Sequence, residues 1–147
     1  MIAIGSLHHT GDLQAAIAAC HQLLRPGGRL TFMVYYAYSY GQVVLNPREV
    51  IAYAMNEARG HRGVMPSRDE RARGAYDRDS SGAAAPHTDF ASRVSLRSLC
   101  TAFPVFECRL ENIDQERPFT DRSRAYLLGT NLPAEIGLDL YATAVRA

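Results

Sequence analysis

Two adjacent histidines, His8 and His9, stand just past a short apolar run, Met1-Ile2-Ala3-Ile4-Gly5. An imidazole titrates near neutrality, so either ring could take a proton from a substrate as a general base. The same pair would equally serve as a polar cap on the loop that leaves a buried strand. Four tyrosines, Tyr35, Tyr36, Tyr38 and Tyr40, cluster at the end of a second apolar run. They are either ordinary strand-end aromatics or one wall of a substrate pocket, with strand alternation turning Tyr35 or Tyr36 inward. His87 lies between a Ser/Gly/Ala-rich stretch and the next patterned segment, as a surface-loop residue or as a lid residue that reaches the substrate. Metal ligation by His8, His9, His87 and a cysteine is the weaker reading. Neighbouring histidines seldom converge on one ion and no ligand spacing recurs, so no metal is expected.

Composition removes several other chemistries. All 16 basic residues are arginine and lysine is absent, which excludes a Schiff-base lysine and a phosphate-loop lysine in this chain. The formal net charge is only +1, so no global pull toward nucleic acid or an anionic membrane is expected. The stretch from Glu57 to Asp79 mixes arginines with acids until its charge nearly cancels, which argues against an RNA-binding patch there. Cys20, Cys100 and Cys108 share no C-x-x-C spacing and follow no signal peptide. Free thiols in the core and a cytoplasmic location are expected. The longest nearly apolar run, Leu30 to Tyr38, is less than half of a membrane span.

The elements that must position these residues follow from periodicity. Ile2 to Gly5 reads as a strand buried on both faces, and Leu30 to Tyr36 as a second one. Between them Leu13, Ala16, Ile17, Cys20 and Leu24 recur at helical spacing after a Thr10 cap. Arg25-Pro26-Gly27-Gly28 then reverses the chain, with Pro26 presetting the turn and a glycine taking positive φ. Strand, helix and strand within 36 residues make one right-handed parallel crossover. Asn46 caps a second helix with Val50, Ile51, Ala54 and Ala58 on one face, and residues 59–85 read as a flexible loop or lid. A third helix spans Leu96 to Phe103, followed by a half-exposed strand from Val105 to Ile113. A final strand runs from Leu138 to Val145, with Leu138, Leu140, Ala142 and Ala144 on one face.

The order Ile4-Gly5-Ser6-Leu7-His8-His9-Thr10, helix, Leu24-Arg25-Pro26-Gly27-Gly28-Arg29-Leu30, then a Tyr-rich strand end, resembles the second half of a class I S-adenosylmethionine-dependent methyltransferase of the small-molecule type. The resemblance implies an α/β fold: a partial Rossmann-like methyltransferase sheet, with strands equivalent to the family's fourth to seventh, the last reversed, and flanking helices. It implies His8 and His9 as catalytic residues, Ser6, Leu7 and His8 at the cofactor, and Tyr35, Tyr36 and His87 at a small-molecule methyl acceptor. The cofactor would be S-adenosylmethionine, in the complete enzyme.

The chain departs from that family in lacking its glycine-rich turn and the acidic residue after its second strand. No two of the 11 glycines stand two residues apart, so no G-x-G occurs. Residues 1–147 are therefore expected to be the C-terminal half of a methyltransferase domain, inactive or weak alone, with Met1 not the natural start. The rival expectation is a catalytically silent remnant or a protein-interaction module. In either case the first strand, lacking a second neighbour, is open to self-association.

Overall fold

The computed structural model of the protein describes residues 1–67, 70–74, 77, 78, 80–113 and 118–147, with backbone alone at 71 and 72. The chain opens with β1 (Ile2–Ile4), a single 3-10 turn (Leu7–His9), α1 (Leu13–Leu23) and β2 (Arg29–Tyr36). Next come α2 (Tyr40–Leu45), α3 (Pro47–Ala58), β3 (Met65–Pro66), α4 (Glu70–Gly74) and β4 (Asp89–Ala91). It closes with α5 (Arg93–Leu99), β5 (Val105–Glu111), α6 (Arg124–Leu128), α7 (Leu132–Ile136) and β6 (Asp139–Val145). No helix among the described residues is long and apolar enough to cross a membrane.

β1 pairs parallel with β2, and β6 inserts antiparallel between β2 and β5, the α/β arrangement that the sequence implies for these strands. One edge of β2 is shared. β1 takes its first half, ending at Ile4 opposite Met33, and β4 takes its last, with Phe90 opposite Tyr35. β3 then adds antiparallel to β4. Leu30, Phe32 and Val34 of β2 are fully buried in a core with Leu13 and Ile17 of α1, Leu96 of α5, and Leu140, Ala142 and Ala144 of β6. On the opposite side Met33 and Tyr35 pack with Val50, Tyr53, Met65 and Phe90.

Several expectations need correction. β1 is not buried on both faces: Ile2 is 77% and Ile4 46% exposed, because β1 has no second partner strand among the described residues. Thr10 does not cap α1. Its hydroxyl closes the 3-10 turn on the Leu7 carbonyl, and Asp12 accepts from Ala15 N instead. The buried stripe of α3 runs through Val50, Tyr53 and the half-buried Glu57, while Ile51 and Ala58 face outward. A buried polar network selects that face. The Tyr53 hydroxyl donates to the Gly63 carbonyl and lies 2.9 Å from Ser95 Oγ, and Glu57 accepts from Ser92, Ser95 and Tyr38. Leu138 lies outside the paired register of β6 and packs with Met33 and Tyr35 rather than beside Leu140. The expected loop at 59–85 contains β3 and α4, and its residues 68, 69, 75, 76 and 79 lie outside the described residues.

The reversal before β2 uses its two glycines differently. Gly27 adopts φ of 73°, and the Gly28 amide donates to the Arg25 carbonyl at 2.8 Å, as a type II turn requires. At Gly28 the limit is space, since a Cβ would sit 2.7 Å from that same carbonyl. Gly137, which delivers the chain into β6, is more confined still: its Cβ would meet the backbone oxygens of Pro133 at 2.3 Å and Asn112 at 2.5 Å. Gly137→Ala is therefore expected to lower unfolding stability by about 3 kcal/mol. Gly82→Ala, at positive φ but with nothing nearby, should cost about 1 kcal/mol from backbone strain alone. Urea unfolding of the two variants checks the order; equal losses would mean that the tight passage at Gly137 is absent.

Candidate functional site

The shared edge of β2 creates a corner. β1 stops opposite Met33 and β4 starts opposite Tyr35, so the chain leaving β1 and the chain entering β4 meet beside the Tyr35 ring. This is the carboxyl end of two parallel strands, where open α/β sheets place their ligands. The 3-10 turn presents His8 and His9 there with ring centroids 4.0 Å apart, and His8 lies 4.4 Å from the Tyr35 ring.

His9 is held at both nitrogens. Its Nδ1 lies 2.7 Å from the His87 carbonyl, and a carbonyl can only accept, so Nδ1 carries the proton. The Thr88 hydroxyl donates to the same carbonyl at 2.9 Å. His9 Nε2 stands 3.3 Å from Asp77 Oδ2, and that oxygen also accepts from the Tyr35 hydroxyl at 2.7 Å. As an imidazolium His9 pairs with Asp77; as a neutral ring it turns a lone pair toward the carboxylate.

His8 contrasts with its neighbour. It is fully buried and neither ring nitrogen makes a well-formed hydrogen bond among the described residues, the Met33 backbone being only a weak neighbour. Burial, followed by the adjacent His9, lowers its pKa from 6.5 to about 4, against smaller opposing influences from Asp77 and the Met33 backbone. His8 is a neutral ring at physiological pH.

Of the other predicted residues, Tyr35 and His87 join the corner, His87 through its backbone carbonyl. Its ring packs close over Gly11, where a Cβ would lie 3.1 Å from it. Tyr36 is turned away: it packs against the main core and meets Tyr38 edge-on at 5.7 Å. Ser6 is exposed at the end of β1, while the Leu7 side chain is buried in the core beneath α1. Cys20 and Cys100 are buried and Cys108 half-buried, and none joins the histidines. The set whose ligand atoms lie within 4.8 Å of one another is His8, His9 and Asp77.

Two acids of the site escaped the sequence reading. Asp77 was one charge among many in a mixed arginine-acid stretch, and only the fold shows that it reaches His9. Asp89, at the start of β4, is buried with Oδ2 unpartnered among the described residues. Its pattern position, between Thr88 and the apolar Phe90, gave no sign of burial.

Comparison with known proteins identifies no family. No protein-family model matches the chain, and no curated protein does. Among solved structures it is similar to a SAM-dependent methyltransferase from Methanosarcina mazei, at 13% sequence identity and a TM-score of 0.47, over 99% of this chain and 57% of that one. The chain thus spans a little over half the length of that protein.

Asp89 supplies a test of the electrostatics. Burial raises its carboxyl pKa, ahead of opposing effects from His87 and His9, so the folded chain holds this proton more tightly than the unfolded chain. The cost of the buried carboxylate is absent below the ordinary Asp pKa and complete above the raised one. Asp89→Asn is expected to stabilise the protein at pH 7 to 8 by on the order of 1 kcal/mol, with the gain shrinking as pH falls through the carboxylate range. Thermal unfolding across pH reads this directly, and a gain independent of pH would contradict it.

Proposed function

We propose that this chain is the carboxyl-terminal portion of a methyltransferase that moves a methyl group from S-adenosylmethionine to a small-molecule acceptor. The observation that supports it is the sheet order β1-β2-β6-β5 with β6 reversed, together with a histidine pair at the carboxyl end of β1. In this reading the exposed Ser6, at the end of β1, faces the cofactor, and His8 backs the corner from a fully buried position. When bound, S-adenosylmethionine supplies a methyl group activated by a sulfonium centre. The chain's own residues orient the acceptor and manage its proton.

In this proposal the two histidines divide the work. His8, its pKa lowered by burial, is too weak a base to take a proton near neutrality and forms a neutral wall. His9 is the base. Its Nδ1–H is committed to the His87 carbonyl, which fixes the tautomer that leaves Nε2 basic. Asp77 now covers Nε2 and belongs to the 59–85 segment. Displacement of the Asp77 carboxylate would open Nε2 to an acceptor hydroxyl or amine beside Tyr35. Nε2 would then take the acceptor's proton, while bound S-adenosylmethionine would supply the methyl group, its sulfur–methyl bond breaking so that the sulfonium leaves as a neutral thioether.

The missing glycine-rich turn leaves the methionine and ribose contacts to a preceding half. Calorimetric titration of the 147-residue chain with S-adenosylmethionine is expected to show no low-micromolar binding. A form extended by an in-frame upstream segment carrying a strand and glycine-rich turn should bind and turn over, and His9→Gln in that form should abolish turnover while leaving cofactor affinity nearly unchanged. Low-micromolar binding by the 147 residues alone would overturn the half-domain reading. The exposed Ile2 and Ile4 on the open edge of β1 favour a second reading, an interaction module that pairs through this strand. An upstream stop codon with concentration-dependent dimers in sedimentation would select it.

A further inference from the structure

The geometry points to a divalent transition-metal site, with zinc the best match, formed by His8, His9 and Asp77. This inference rests on the corner itself and not on the methyltransferase reading. One ligand atom from each of the three residues lies within 4.8 Å of the others. His9 Nε2 and Asp77 Oδ2 are 3.3 Å apart, and two donors bound at about 2.0–2.1 Å to a tetrahedral zinc stand roughly that far from each other. Two further observations point to a ligand. His8 is fully buried with neither ring nitrogen in a well-formed hydrogen bond among the described residues, and a bound cation would satisfy one of them. His9 donates its other ring N–H to the His87 carbonyl, the arrangement that orients metal-binding imidazoles.

The outer contacts are also in place. Tyr35 donates to the Asp77 oxygen that faces His9, which fixes the carboxylate rotamer. Two imidazoles and one carboxylate form a nitrogen and oxygen donor set suited to zinc, with a fourth position left for water or a substrate oxygen; magnesium prefers oxygen ligands. A metal here would hold the segment bearing Asp77 against the turn after β1. It would also occupy His9 Nε2, so metal binding and proton acceptance exclude each other at that atom.

The test uses the 147-residue chain, freed of metal by chelation and titrated separately with Zn2+, Co2+ and Mg2+. One Zn2+ or Co2+ per chain is expected, with visible Co2+ absorption typical of low coordination number and without a thiolate charge-transfer band; Mg2+ should not bind. Asp77→Asn, a substitution at a partly exposed side chain, should weaken Zn2+ binding by ~10-fold or more, as should His9→Gln. Tyr35→Phe should weaken it by ~10-fold while keeping the stoichiometry. His61→Gln, far from the corner in sequence and absent from the cluster, should leave it unchanged. Failure to take up stoichiometric Zn2+, unchanged affinity in Asp77→Asn, or a thiolate band would each overturn the site. Loss of S-adenosylmethionine binding or turnover in the extended form, with metal uptake intact, would count against the methyltransferase reading alone.

Discussion

The division of one edge of β2 between two parallel strands is the constraint on which the rest depends. β6 occupies the opposite edge along nearly the whole of β2, from Arg29 paired with Val145 to Tyr35 paired with Asp139. That leaves a single edge for both β1 and β4, and neither can run its full length. β1 must end near Met33 for β4 to begin at Tyr35. The two chain segments that join at this break carry His8 and His9 on one side and His87 and Thr88 on the other. The hydrogen bond from His9 to the His87 carbonyl, between residues 78 positions apart, is the direct product of that break.

Polar burial around the break is organised rather than incidental. Ser92 caps α5 and also reaches Glu57 of α3, while the Tyr53 hydroxyl joins Ser95 to the Gly63 carbonyl. These contacts tie α3 and α5 together behind β4, with the charge of Glu57 distributed over several donors. Burial and the Glu57 contact together raise the Tyr38 phenol, consistent with its donating to Glu57. Arg146 fastens the other end of the fold, donating to the His21, Gln22 and Leu24 carbonyls at the end of α1.

Much of the frame was legible because it rests on repeating patterns. The stripe Leu13, Ile17 and Cys20 identified α1, the run from Leu30 to Tyr36 identified β2, and Pro26-Gly27-Gly28 identified the turn between them. The stripe of α3 was misread because its buried face is chosen by hydroxyl and carboxylate partners, which hydrophobic spacing does not register. α2, α6 and α7 are five or six residues each, too short for a helical period to stand out. His8 and His9 were recognisable from their position after a strand and Tyr35 from its place near the end of one, but Asp77 was not. Its role depends on a contact across the chain that no local pattern encodes.

A tautomer-fixed imidazole held across the strand break has a distinct ring-nitrogen NMR signature. In selectively 15N-labelled, metal-free protein at neutral pH, His9 should carry its proton on Nδ1, with slowed exchange and close contacts to the His87 and Thr88 protons. This holds whether or not Nε2 is also protonated, because the His87 carbonyl can only accept. An His9 ring protonated at Nε2 alone, with a bare Nδ1, would contradict the account, since the two chain segments would then not be joined as the shared edge of β2 requires.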